Sequence, residues 1–262
     1  MAGRLAELLD GAAQGHAIVP RLQGLAKPVC GEPWEALAGD PSRLLAGAKK
    51  LAALFASDGL LLGNEAAAPE AARRLADEAS ASPCVVLVAG PVARALSEGW
   101  DGGDFPEALK ADFTAQAEGF CEARVALLLF DETGVDPAML GGMPARKVYN
   151  TLRNVASYFN VRVGAIIDGT DADAVETAAK LRLDATLLAC RTADALPDPF
   201  DLERLFEDGR MAGLALPEDD AALAARAAVL AGQPCLFTTL ARDGEPMIET
   251  MHGFMGALRG AA

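Results

Sequence analysis

The chain has 262 residues, 52% apolar and 23% charged, with a formal net charge of -14. That length supports one large core, and the balance is that of a globular chain rather than a disordered one. The acidity argues against nucleic acid and anionic membrane surfaces, which both need a basic patch; an anionic small molecule stays open, because salt screens a distant acidic surface over roughly 8 Å.

The opening stretch, MAGRLAELLDGAAQGH, has no continuous apolar segment, and no long uncharged apolar run follows anywhere. Neither a signal peptide nor a membrane span is expected. A first short apolar run covers residues 17–20 and ends at Arg21. Asp40-Pro41 then opens an amphipathic stretch, SRLLAGAKKLAALF, with a capping residue followed by Pro at the first helical position. Further strand-like runs cover residues 59–62, 84–89, 124–130, 161–167, 185–189, 211–216 and 235–239. They are continuous rather than alternating, as parallel strands covered on both faces are. Between the later ones, Asp171 precedes ADAVETAAKLRL and Pro217 precedes EDDAALAARAAVL, whose acidic first turn suits the helix dipole. The last helical segment is PMIETMHGFMGALRG.

Eight β-then-α units in a chain of this length predict an α/β fold, a (β/α)8 TIM barrel with eight parallel strands, formed as a single domain over residues 1–262. A doubly wound open sheet is the competitor, and no GxGxxG follows the first strand to support it. Five cysteines, Cys30, Cys84, Cys121, Cys190 and Cys235, stand singly with no CxxC pair, which points to a reduced, cytoplasmic setting.

In such a barrel the chemistry sits where strands end and βα loops begin. Those positions hold Arg21 and Gln23, Asn64 and Glu65, Gly90 with Arg94, Asp131 and Glu132, Asp168, Cys190 with Arg191, Glu218, and Thr238 with Arg242. Carboxylates mixed with guanidinium groups suit recognition of a polar small molecule. Each has a plainer alternative. Asp168 or Asp171 caps the next helix, Asp131 and Glu132 form a solvated loop, and Arg21 pairs with a loop acid instead of holding a substrate carboxylate through two parallel hydrogen bonds. Metal binding has little support, because the two histidines, His16 and His252, lack a ligand partner at metal spacing. No GxSxG elbow is present, and no cysteine has a visible base partner.

Several stretches together resemble the uroporphyrinogen decarboxylase-like proteins. IVPRLQGLAKPVCGEPWEALAGDPSRLLAGAKKLAALFASDGLLLG resembles their opening, VVLVAGPVARAL their GP segment, and FTAQAEGFCEARVALLLFDETG their strand-four approach; GLALPEDDAAL sits where a G-N-x-x-P often lies. The resemblance implies the barrel and one of two chemistries. One is cofactor-free decarboxylation of a carboxylated tetrapyrrole, held by an Arg-rich N-terminal segment with a strand-end Asp stabilising the protonated ring. The other is methyl transfer with a corrinoid and a zinc-activated thiol. In the first, Arg21 would orient a substrate carboxylate and Asp131 or Asp168 would stabilise cationic charge, while Gln23, Asn64, Glu65, Gly90, Arg94, Glu132, Arg191 and Arg242 would line the substrate site.

The sequence departs from both patterns. The R-Q-A-G-R segment keeps only Arg21, the strand-two Asp is replaced by Asn64, and the late His-Gly loop is replaced by Ala241-Arg242-Asp243-Gly244. Ala165, Ile166 and Ile167 stand where the methyltransferases carry their His-x-Cys pair, and Cys235 falls near their later cysteine. No cofactor and no metal are therefore expected. The expected function is decarboxylase-like action on, or binding of, a carboxylated tetrapyrrole-type molecule. The alternatives are a methyltransferase relative without zinc ligands and a non-catalytic tetrapyrrole-binding protein. The resemblance is compatible with a homodimer.

Overall fold

A computed structural model describes residues 4–11, 15–78, 82–199, 205, 210–230, 235–241 and 247–260. Its strands are β1 (His16–Ile18), β2 (Leu60–Leu62), β3 (Cys84–Ala89), β4 (Leu127–Glu132), β5 (Arg162–Asp168), β6 (Ala185–Ala189), β7 (Met211–Leu216) and β8 (Cys235–Thr239). The α-helices of the first half are α1 (Arg4–Leu9), α2 (Ala26–Cys30), α3 (Trp34–Leu37), α4 (Pro41–Leu54), α5 (Ala68–Ala76), α6 (Pro91–Ser97) and α7 (Glu107–Glu122). Those of the second half are α8 (Pro137–Leu140), α9 (Met143–Tyr158), α10 (Ala172–Leu181), α11 (Ala221–Leu230) and α12 (Ile248–Gly260).

All eight strands join one parallel sheet in the order β1-β8-β7-β6-β5-β4-β3-β2, so the chain folds as a single (β/α)8 barrel. Alternation along each strand sorts side chains into two layers. Ala17, Leu61, Val85, Leu87, Leu127, Leu129, Ile166, Leu187 and Leu236 fill the barrel interior. Their chain neighbours, such as Val86, Leu128, Phe130, Ile167, Leu188 and Phe237, pack outward against the helices. Leu5 and Leu8 of α1 belong to the interior cluster together with Val85, Leu127 and Met211 from the strand starts, so α1 closes the N-terminal end of the barrel. The interior is narrow. A Cβ on Gly213 of β7 would lie 2.2 Å from the Leu236 carbonyl oxygen on β8, so no larger residue is accommodated there without separating the strands.

The ladder is interrupted between β1 and β2. There the Asp58 carboxylate accepts from Ile18 N at 2.8 Å, and Asp58 N donates to the Ile18 carbonyl at 2.9 Å. One residue thus stands in for the missing ladder and satisfies both polar groups of Ile18.

The helix starts follow their capping residues. Asp40 accepts from Ser42 N and Arg43 N at 2.9 Å each, and Asp220 accepts from Leu223 N at 2.8 Å. Strands β3, β6, β7 and β8 have the expected bounds. Strand β4 begins and ends later than expected. Arg124 takes a left-handed φ of 58° where the chain leaves α7, so the run cannot yet be extended, and Asp131 and Glu132 join the ladder opposite Ile166 and Ile167. Among the described residues no helix is long and apolar enough to cross a membrane.

Candidate functional site at the barrel mouth

The interior alternation, continued past the last apolar layer, places Arg21, Ala89, Asp131, Asp168 and Arg191 on the inward face at the C-terminal end. Ala89 is exposed although it lies in a strand between two neighbours, so the barrel is open to solvent above it. Around that opening stand two ion pairs. Arg21 Nη2 donates to Asp131 Oδ2 at 2.8 Å, both side chains being less than one fifth exposed. Arg191 Nη2 donates to Asp168 Oδ1 at 3.1 Å, with Arg191 the more exposed partner.

The turn after β4 links the pairs. Thr133 donates to Asp131 Oδ1 from its hydroxyl at 2.7 Å and from its amide at 3.1 Å, an Asx-turn. The next amide, Gly134 N, donates to Asp168 Oδ2 at 2.5 Å. Arg21 is held from behind, its amide donating to Thr239 Oγ1 at 2.9 Å, while its buried Nε has no hydrogen-bond partner among the described residues. Thr133, Gly134 and Thr239 were not among the expected site residues. An Asp-x-Thr sequence at a strand end is the signal that marks the first two.

Among the described residues each of these two guanidinium groups is matched by a carboxylate. An anionic group can therefore meet guanidinium donors there whose own carboxylate partners are already compensated. The same balance lets Asp131 or Asp168 face a cationic centre.

The other expected site residues lie elsewhere. Glu132 is fully buried on the outward face of β4, where it accepts from Val92 N at 3.0 Å, Ala93 N at 2.7 Å and Tyr149 Oη at 2.5 Å. It fastens the start of α6 to α9 and does not line the mouth. Burial pushes its carboxyl up to about 7, against the opposing hydrogen bonds. Gly90 serves the same fastening, because a Cβ there would come within 2.1 Å of the Glu132 carboxyl carbon. Arg94 lies on the exposed face of α6, paired with Glu98 at 2.9 Å and 5.7 Å from the Phe113 ring centre, in the helical layer. Asn64 is exposed and bonded to Gln116 on α7. Glu65 is turned back on its own strand end, accepting from Gly63 N at 2.9 Å and from the Trp34 indole. Gln23 is half-buried in a 3-10 turn, Gln23–Leu25, where it shares a small cavity wall with Trp34. Arg242 lies outside the described residues. Asp171, not Asp168, caps α10 by accepting from Ala174 N at 2.9 Å, which leaves Asp168 to the mouth.

The zinc chemistry implied by the methyltransferase resemblance does not match this donor set. Ala165, Ile166 and Ile167 are apolar and fully buried within β5. Cys235 lies at the first position of β8, at the end of the barrel opposite the mouth, where burial pushes its thiol up to about 12. Among the described residues no three His, Cys, Asp or Glu side chains come together as a metal-holding group.

The molecule is thus an eight-stranded parallel barrel with paired charges at its C-terminal mouth. No family model matches the chain, and no curated protein matches it. Among solved structures it is similar to a methyltransferase from Methanosarcina mazei, with a TM-score of 0.72, 14% identity and 99% of each chain covered. It is also similar to a D-psicose 3-epimerase from Clostridium cellulolyticum H10 (TM-score 0.54, 11% identity, 83% of this chain and 92% of that one). A type I 3-dehydroquinate dehydratase from Clostridium difficile gives a TM-score of 0.55 at 11% identity over 95% of this chain and 93% of that one. At these identities the likeness is one of fold.

Proposed function

We propose that this chain is a methyltransferase-related barrel protein that binds a carboxylated tetrapyrrole-type or corrinoid-type ring at its mouth. The observation that carries the reading is the pair of Arg–Asp contacts on inward strand-end positions, with Arg191 accessible and Arg21 fixed from behind by Thr239. The end-to-end likeness to the methanogen methyltransferase supports it. Arg21 and Arg191 would engage carboxylates of the ring, and Asp131 and Asp168 would keep each guanidinium oriented until the ligand arrives. No step through zinc is part of this reading.

Absorbance titrations with uroporphyrin and with cobalamin test it. Saturable binding of either ligand, weakened about tenfold or more in Arg21→Ala and Arg191→Ala, is the expected result. Absence of saturable binding by both would overturn it.

Asp131 favours a second reading, decarboxylation. Its carboxylate is clamped by Thr133 and Arg21 and faces inward, as a group that stabilises a protonated pyrrole must be placed. Anaerobic incubation with uroporphyrinogen would then yield products with fewer carboxyl groups, and Asp131→Asn would abolish them while retaining binding.

A further inference from the structure

Apart from the two ion pairs of the mouth, an open surface pocket of about 730 Å³ lies between the 3-10 turn Ala193–Ala195, which follows β6, and one face of α11. Its volume is that of a small-molecule site. Leu196, Pro197, Ala225 and Val229 give it apolar walls, with Val229 72% exposed. Two charged side chains, Asp194 and Arg226, open into the same space. Neither has a hydrogen-bond or ion-pair partner among the described residues, and they do not pair with each other.

Unpaired opposite charges in the lining of one largely apolar pocket are complementary to a ligand that carries both charges and an apolar body. The geometry points to a binding site for an apolar α-amino acid, its ammonium group on Asp194, its carboxylate on Arg226 and its side chain against Leu196, Pro197 and Val229. Its lining shares none of the four charged residues of the mouth pairs, and the assignment does not depend on the function proposed for them.

Calorimetric titration of the full chain with L-leucine tests the assignment, with isocaproate and isoamylamine as analogues that each lack one charged group. The expected result is one saturable leucine site, with both analogues at least about tenfold weaker. Asp194→Ala and Arg226→Ala each weaken leucine by a similar factor, while Arg21→Ala at the mouth leaves it unchanged. Both substituted side chains are exposed, and circular dichroism confirms that the variants stay folded. No saturable binding of leucine up to roughly 10 mM overturns the proposal. So does isocaproate binding as tightly as leucine with Asp194→Ala neutral, or leucine affinity that follows Arg21 rather than Arg226.

Discussion

Asp131 and Glu132 leave β4 on opposite faces, and that single step of alternation separates a carboxylate at the mouth from one sealed in the helical layer. Asp131 stays at the solvent-reached mouth, clamped by Arg21 and Thr133, whereas Glu132 is sealed between α6 and α9. Burial moves the Glu132 carboxyl from its ordinary 4.5 to about 7, so between those values the folded chain holds a proton that the unfolded chain has released. Its contribution to stability is therefore greatest below the lower value and declines as pH rises toward the upper one. Chemical denaturation of the wild type and Glu132→Gln across that window should show this decline in the wild type only; equal slopes would remove the effect from Glu132. A second pair of carboxylates makes a sharper contrast. Asp171→Ala removes a helix cap and should lower stability by about 1 kcal/mol with mouth binding intact, whereas Asp168→Ala should alter ring binding in the absorbance titration.

At the scale of strands and helices, most of the architecture was legible because its signals are local. Asp40-Pro41 and Asp171 capped the helices they were expected to cap, and the apolar runs at β3, β6, β7 and β8 matched the strand bounds residue for residue. The site was harder to read. Ending β4 at Phe130 put Asp131 and Glu132 together in a loop, where alternation says nothing; the two extra ladder positions opposite Ile166 and Ile167 are what assign them to different faces. Arg94, Asn64 and Glu65 were near strand ends in the chain, yet their partners Glu98, Gln116 and Trp34 draw them into the helical layer or back onto the strand end. Nothing local in the sequence announces those partners. The tight β7–β8 approach yields its own prediction. Gly213→Ala places a methyl group against the Leu236 carbonyl, and the urea midpoint should fall by an amount equivalent to about 1–3 kcal/mol, toward the upper end because backbone cannot give way as a side chain does.

For the whole molecule, the decisive contact is the one that closes the barrel. Asp58→Ala would leave the Ile18 amide without its acceptor at the β1/β2 junction, at a cost of about 1–3 kcal/mol. Native-state hydrogen exchange should then quicken in β1 more than in the continuous ladder of β4 and β5; uniform acceleration would mean that the junction is not a separate opening unit. The same break in the ladder also sets an order of events in time. The ladder partner of β1 is β8, and Val19 and Thr238 meet across a separation of 219 residues. On a growing polypeptide the first strand to emerge has no strand to pair with until the last has left the ribosome, while β2 to β7 can assemble in turn. The barrel should therefore close last at its beginning, with β1 and the α1 plug gaining exchange protection after the middle strands in a pulse-labelled refolding experiment.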